Sequence, residues 1–269
     1  MLRAIASRLY VPAGLAGGKS LPLTAAQAHR LRNVLRLAPG AAVAAFNAND
    51  GEWRCTIAEL GRNAGALTVD GRLRPPEPEP DLWLLFAPVK RVRLDWLVEK
   101  ATELGCSALL PVWTARTQAE RINSERLTAL AIAAAEQSER LNPERLRGVA
   151  IAAAEQSERL SVPEIRAGGS LREVIEAWPA ERRLILCDET GAGAPIAAAL
   201  ADVAPDTPAA VLVGPEGGFA ETELDALGKL PIVTRVGLGP RVLRAETAAL
   251  AALAAFQAIA GDWRRRRSA

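Results

Sequence analysis

The stretch "VLVGPEGGF", Val211–Phe219, decides the fold. An apolar run enters Gly-Pro-Glu-Gly-Gly, and "AETEL" then starts a helical pattern. Strand, glycine-rich loop and helix in this order form the unit of an α/β sheet. Ligands of open α/β sheets bind outside the carboxyl ends of the strands. Glycines at such an end let backbone amides approach a ligand closely. A plain turn is the competing reading of the same residues.

"VGLGPRVLRAETAAL", Val236–Leu250, repeats the arrangement. A strand ends at Leu238-Gly239-Pro240, two arginines follow, and a helix begins near Ala245. Glu246 and Thr247 fall in its first turn, where acidic and hydroxyl groups suit the free amides. Glu246 is thus either a capping charge or a catalytic carboxylate. Arg241 and Arg244 are either surface charges or ligand groups. Two Gly-Pro strand ends on neighbouring strands would form one crevice, with Arg244 pointing at it.

Further out, "LWLLFAPV", "ALLPVW", "RLILCDE" and "PIVTRVGL" read as buried strands. "RLDWLVEKATELG" predicts an amphipathic helix with Leu94, Leu97, Val98, Ala101 and Leu104 on one face, and Gly105 as its stop. "ETELDALGKL" and "AETAALAALAAFQAIAGDW" predict two more helices. The alternation predicts an α/β domain with a mostly parallel sheet over residues 82–263. Upstream, "AAVAAFN", "EWRCTIAEL" and "GALTVDGRL" predict a small β domain over residues 1–74, with one helix in "AAQAHRLRNVLRL". "RPPEPEPD" carries four prolines, so residues 75–81 read as a stiff extended linker. Residues 264–269 form a basic tail.

Composition narrows the function. Residues 1–74 hold ten Lys/Arg against four Asp/Glu, while the whole chain of 269 residues is only +2. The basic excess of the first domain reads as a nucleic-acid face or as a solvated basic surface. No run of about 18 uncharged apolar residues occurs, so no membrane span is expected. The N-terminus lacks the apolar core of a signal peptide. Cys55, Cys106 and Cys187 are far apart without a CxxC, so no disulfide or zinc framework is expected, and a reducing cytoplasm is.

Two features mislead. "AGLAGGKS", Ala13–Ser20, fits a relaxed phosphate-loop pattern, but Pro12 and Pro22 flank it where a strand and a helix are needed. Lys19 reads as a turn lysine. "AIAAAEQSERL" occurs at Ala131–Leu141 and again at Ala150–Leu160, within a longer match of Asn123–Leu141 to Asn142–Leu160 with 15 identities in 19 positions. A solenoid needs about three or more such units. The pair therefore reads as a tandem duplication of one helix, spanning residues 123–160. Asn142 and Pro143 predict an N-cap and first position for the second copy. Connection to the following strand favours Glu155, Gln156 and Arg159 over Glu136, Gln137 and Arg140 as the functional copy.

"LVGPEGGF" and "LGPRVLRAETAAL" resemble the signature loops of the bacterial 16S rRNA (uracil-N3)-methyltransferase family, of the knotted SPOUT class. "HRLRNVLRLAPG", "KRVRLDWLVEKATELG", "PVWTARTQ" and "AAAEQSERLSVPEI" agree with that resemblance in order along the chain. It implies a C-terminal domain with a deep trefoil knot and a small N-terminal PUA-like β-barrel. It implies S-adenosyl-L-methionine as methyl donor, and N3 of uracil 1498 in 16S rRNA, free or in the 30S subunit, as target. It also implies a homodimer, without metal. Carried over, the cofactor neighbours are Leu186, Val213, Gly214, Pro215, Glu216, Gly217, Gly218, Leu238, Gly239, Pro240, Leu243 and Arg244.

Chemistry adds a constraint. Uracil N3 carries a proton and attacks poorly until it is lost. The sole histidine, His29, lies in the first domain. The remaining routes are a carboxylate base, or arginines that stabilise the uracil anion. Arg244 is expected as anion stabiliser, with Glu246 or Glu216 orienting it. Arg8, Arg30, Arg32 and Arg36 are the expected RNA contacts of the first domain.

Overall fold

The computed structural model describes residues 4–89, 91–117 and 141–265. The first copy of the duplicated helix, with Glu136, Gln137 and Arg140, lies outside the described residues, as does most of the basic tail. The chain forms two compact units, Met1–Pro78 with Ala154–Val162, and Glu79–Ala153 with Pro163–Ala269. The division falls inside the proline-rich stretch. Ala154–Val162, which the sequence reading counts with the second domain, contributes to the first unit.

The first unit is built on β1 (Arg8–Tyr10), β2 (Ser20–Pro22), β3 (Ala42–Asn47), β4 (Gly51–Leu60) and β5 (Gly65–Arg74). They form one sheet in the order β1-β3-β4-β5-β2. Only β1 and β3 pair in parallel. Three register shifts between β4 and β5 curl the long hairpin, as bulges do. Leu9, Val43, Ala45, Cys55, Ile57, Leu67 and Val69 pack inside the curl. Helix α1 (Ala25–His29) starts with a capping box of Thr24 and Gln27. The expected single helix then changes to a π-helical turn at Arg30–Val34. Lys19 is a turn lysine: its Nζ donates to Gly14 O at 2.7 Å, and β2 follows in place of a helix.

The second unit contains β6 (Leu82–Phe86), α2 (Arg91–Glu103), β7 (Ala108–Trp113), α3 (Pro143–Gln156), β8 (Glu164–Ile165), β9 (Gly169–Ser170), α4 (Leu171–Glu176), β10 (Arg183–Cys187), β11 (Ala194–Pro195), α5 (Ile196–Ala199), β12 (Ala209–Val213), α6 (Glu221–Gly228), β13 (Val233–Gly237) and α7 (Ala245–Ile259). The last residues of α3 belong to the first unit. Every strand pairing is parallel, in the order β11-β13-β10-β12-β6-β7-β8, with β9 on β7. The central strands are buried on both faces, which explains their unbroken apolar runs. Leu94, Leu97, Val98 and Ala101 are the buried face of α2. Asn142 caps α3: its Oδ1 accepts from Arg145 N at 3.0 Å.

The order of the strands makes the site. β12 and β13 flank β10, and their loops leave the sheet at the same end. Such a crevice between adjacent carboxyl ends is where an open α/β sheet receives ligands.

Candidate active site

A cleft of about 670 Å³ opens at the ends of β10, β12 and β13. Three loops line it: Cys187–Gly191 with Gly193 and Pro195, Val213–Glu216 with Gly218, and Gly237–Ala245 with Ala248. Val213, Gly214, Pro215, Glu216, Gly218, Leu238, Gly239, Pro240, Leu243 and Arg244 therefore come together as the sequence pattern requires. Two expected neighbours do not line it. Leu186 is fully buried in the sheet core, one residue short of the wall that begins at Cys187. Gly217 does not line the cleft, and its carbonyl accepts from Arg116 Nη1.

The Gly-Pro-Glu-Gly-Gly loop is held from several directions. Pro215 O accepts from Gly218 N at 2.8 Å, which closes the turn. Phe219 is buried, and its ring packs so tightly on Gly214 that a Cβ there would lie 2.8 Å from it. Glu189 Oε1 accepts from Phe219 N at 3.1 Å. Glu223 Oε1 and Oε2 accept from Ala115 N at 2.7 Å and Ala220 N at 2.9 Å. Glu189, Arg116 and Arg93 belong to this site but do not stand out in the sequence. The usable signals are the glycines of "CDETGAG" after β10 and the arginine just beyond β7.

Charges around the cleft are arranged by burial. Asp188 has a fully buried side chain, and Arg235 donates to its Oδ2 through Nη2 at 2.6 Å and Nε at 3.0 Å. Thr190 donates to Oδ1 through its hydroxyl and amide at 2.7 and 2.9 Å. Burial alone would raise this carboxyl; the Thr190 donors and the Arg235 charge outweigh it and hold it below the usual range. Cys187 goes the other way. Burial, with the Glu189 charge, pushes its thiol up to about 12, so it is a neutral apolar wall residue.

The candidate catalytic residues separate into two groups. Arg244 is exposed at the N-cap of α7 and makes no ion pair or hydrogen bond through its side chain among the described residues. Glu216 and Glu246 were expected to orient it. Both instead pair with Arg93, at 2.8 and 3.6 Å. Glu246 is buried, and its Oε2 has no hydrogen-bond partner among the described residues.

The candidate RNA contacts in the first unit differ among themselves. Arg32 and Arg36 are exposed on the π-helical turn and just after it, Arg36 with φ +54°. Arg30 pairs with Glu155, whereas Arg8 is engaged inside the unit. Its guanidinium binds Glu52 Oε1 at 2.5 Å and the carbonyls of Ala154, Glu155 and Arg159 at 3.0, 2.9 and 3.1 Å. Arg8 is a structural clamp, its donors consumed inside the unit. His29 is exposed.

Among the described residues no helix is long and apolar enough to cross a membrane, and no group of three or more His, Cys, Asp or Glu is disposed to hold a metal. Comparison with known proteins bears on the cleft directly. The RNA methyltransferase domain family matches residues 76–143 and 141–257, and the RNA methyltransferase PUA domain family matches residues 23–70. The two pieces of the first match meet at the junction of the duplicated segments. The ribosomal RNA small subunit methyltransferase E of Rickettsia conorii is 30% identical over 249 residues, covering 92% of this chain and 93% of its own. That of Bacillus subtilis is 26% identical over 245 residues, covering 87% and 88%. The crystal structure of the Neisseria gonorrhoeae ribosomal RNA small subunit methyltransferase E, bound to S-adenosyl methionine, matches with a TM-score of 0.77 at 26% identity, over 96% of this chain and 99% of that one. A Legionella pneumophila protein solved with the bound cofactor SAM matches with a TM-score of 0.75 at 25% identity, over 96% and 100%. With both domains matched in order and a relative aligned over nearly its full length, the chain belongs to the RNA methyltransferases of the ribosomal RNA small subunit methyltransferase E family.

Proposed function

We propose that this protein transfers a methyl group from S-adenosyl-L-methionine to N3 of one uridine, uracil 1498, in the 16S rRNA of the 30S subunit. The observation that carries the reading is the cleft at the ends of β10, β12 and β13. Its volume suits a nucleoside joined to an amino acid. Its walls combine apolar Val213, Leu238 and Leu243 with backbone groups of two Gly-Pro loops and the carboxylates of Glu189 and Glu216. That donor set fits a ligand with an apolar ring, a diol and positive charge. Two relatives with the same fold hold the cofactor. When bound, it supplies an electrophilic methyl group on a sulfonium.

The chain's own residues then handle the uracil. Arg244 lines the cleft with donors unengaged among the described residues, so it can hold the uracil anion as the N3 proton leaves. It stands at the N-cap of α7, where its side chain makes no capping hydrogen bond. In the first unit, Arg32 and Arg36 present charge to the RNA backbone, with Arg30 beside them. On this reading the protein works in the cytoplasm.

Two finer features of the family belong to the same proposal. β13 pairs with both β10 and β11, which follow one another in the chain. A later strand lying between two strands joined by one loop supports a trefoil knot in the second unit. Val242 and Val92 are 89% and 82% exposed, and Trp96 43%. Apolar side chains this exposed near the site support a homodimer that covers them.

Methylation of 30S subunits by the purified chain, with the product base identified, tests the reading. N3-methyluridine at one position is expected. Methylation at another atom or another RNA would assign the cleft to a different substrate, and absence of cofactor binding would reduce the protein to an RNA-binding factor.

A further inference from the structure

Two carboxylates, one from a loop and one from the start of a helix, converge on one guanidinium. Arg93 stands in the first turn of α2. Its Nη1 donates to Glu216 Oε1 at 2.8 Å, and its Nε lies 3.6 Å from Glu246 Oε1. Glu216 belongs to the cleft wall after β12. Glu246 sits in the first turn of α7, two residues beyond Arg244. A first-turn glutamate on the solvent side of a helix would need no partner, because water and the helix amides serve it. Glu246 is only 7% exposed, and its Oε2 has no hydrogen-bond partner among the described residues. Arg93 is therefore its counter-charge, and through it α7 is tied to the Gly-Pro-Glu-Gly-Gly loop.

We propose that Arg93 is a positioning residue for methyl transfer, setting the spacing between the cofactor loop at Glu216 and the α7 start that carries Arg244. The inference rests on the reading of the cleft as an S-adenosyl-L-methionine site. Arginine suits the task because its planar fork offers separate donors to two acceptors, which an ammonium point charge does less well. The side chain is about one-third exposed, so its pair with exposed Glu216 adds little to global stability, whereas buried Glu246 depends on it for a counter-charge. Its leverage is geometric, since reacting groups tolerate only fractions of an ångström of misplacement.

The test uses the full chain in three variants, R93A, R93K and R93A/E216A. Calorimetry reads S-adenosyl-L-methionine affinity, and steady-state methylation of 30S subunits reads turnover. R93A is expected to weaken cofactor affinity and turnover on the order of 10-fold or more, with a lowered thermal midpoint but a chain still folded at the assay temperature. R93K is expected to recover part of the loss, and R93A/E216A to be no worse than R93A. Wild-type affinity and turnover in R93A overturn the proposal. So does a loss that follows a collapse in thermal stability and that R93K does not relieve. A wild-type chain that binds no S-adenosyl-L-methionine overturns the cofactor reading itself, and that result appears before any substitution is made.

Discussion

A Cβ on Gly218 would lie 1.9 Å from Oε1 of Glu189, the same oxygen that accepts the amide hydrogen of Phe219. Gly218 also holds φ at +72°, where an L side chain is strained. The glycine is needed for a contact inside the protein, between the loops after β10 and β12. Alanine at 218 adds roughly 1–2 kcal/mol of left-handed strain and drives Glu189 off the Phe219 amide. G218A should therefore lower stability and weaken S-adenosyl-L-methionine binding, while G218A/E189A should cost less than the two single variants summed. Urea unfolding and calorimetry on the four proteins check this; strict additivity would show that the two residues act separately.

Glu155 accepts from Tyr10 N at 3.1 Å and pairs with Arg30, with its carboxylate almost fully buried. It belongs to the second copy of the duplicated segment. Gln156 is exposed, so Glu155 is the side chain of this copy whose contacts bear on stability. E155A removes the buried carboxylate that accepts from the Tyr10 amide and Arg30, at a cost of about 1–3 kcal/mol. E136A, the same change in the first copy, should stay within about 0.5 kcal/mol of wild type. Chemical denaturation of both variants decides the matter. The reverse ranking would assign the structural position to the first copy.

The elements that were legible in the sequence are those whose pattern is local. Leu82–Phe86 and Ala209–Val213 are unbroken apolar runs because their strands are covered on both faces. The two Gly-Pro strand ends announce the cleft for the same reason: turn chemistry is written in adjacent residues. What was missed depends on distance along the chain. Arg93 and Glu216 are 123 residues apart, and nothing near either marks the pair. Arg8 looks like any basic residue of a basic domain until the carbonyls of Ala154–Arg159 fold onto it. β1 and β2 are only three residues long, too short for an alternation to register. Leu186 comes from the resemblance alone; in the fold it is buried one residue before the cleft wall begins at Cys187.

Asp188 makes acid stability testable. Its folded carboxyl titrates below the ordinary value because Thr190 and Arg235 outweigh the effect of burial. A carboxyl depressed on folding contributes stability that is present above its unfolded value and is lost as pH falls through the folded one. The wild-type chain should thus lose part of its stability below about pH 4 through this group. D188N keeps the shape but leaves the partly exposed Arg235 without its counter-charge, costing about 1–3 kcal/mol at neutral pH. The variant's unfolding free energy should also vary less between about pH 3 and pH 6 than that of wild type. An identical acid limb in both proteins would remove Asp188 from the acid response.

Among the described residues Arg244 keeps its donors unengaged at the cleft wall, whereas Arg93 and Arg235 are each engaged with carboxylates. That difference predicts a difference in kinetics. If Arg244 holds charge that develops on uracil only as the proton leaves, its loss acts on the transition state and spares the ground state. R244A should lower turnover by about 10²–10³ while S-adenosyl-L-methionine affinity stays near wild type. R244K should recover part of the rate, since the charge remains but the planar fork is gone. R93A, by contrast, should disturb both affinity and turnover, because it moves the loops rather than the charge. Single-turnover methylation of 30S subunits, with calorimetry on the same proteins, separates the two patterns. Equal methylation by R244A and wild type would take Arg244 out of the mechanism and leave the anion to backbone amides of the Gly-Pro loops.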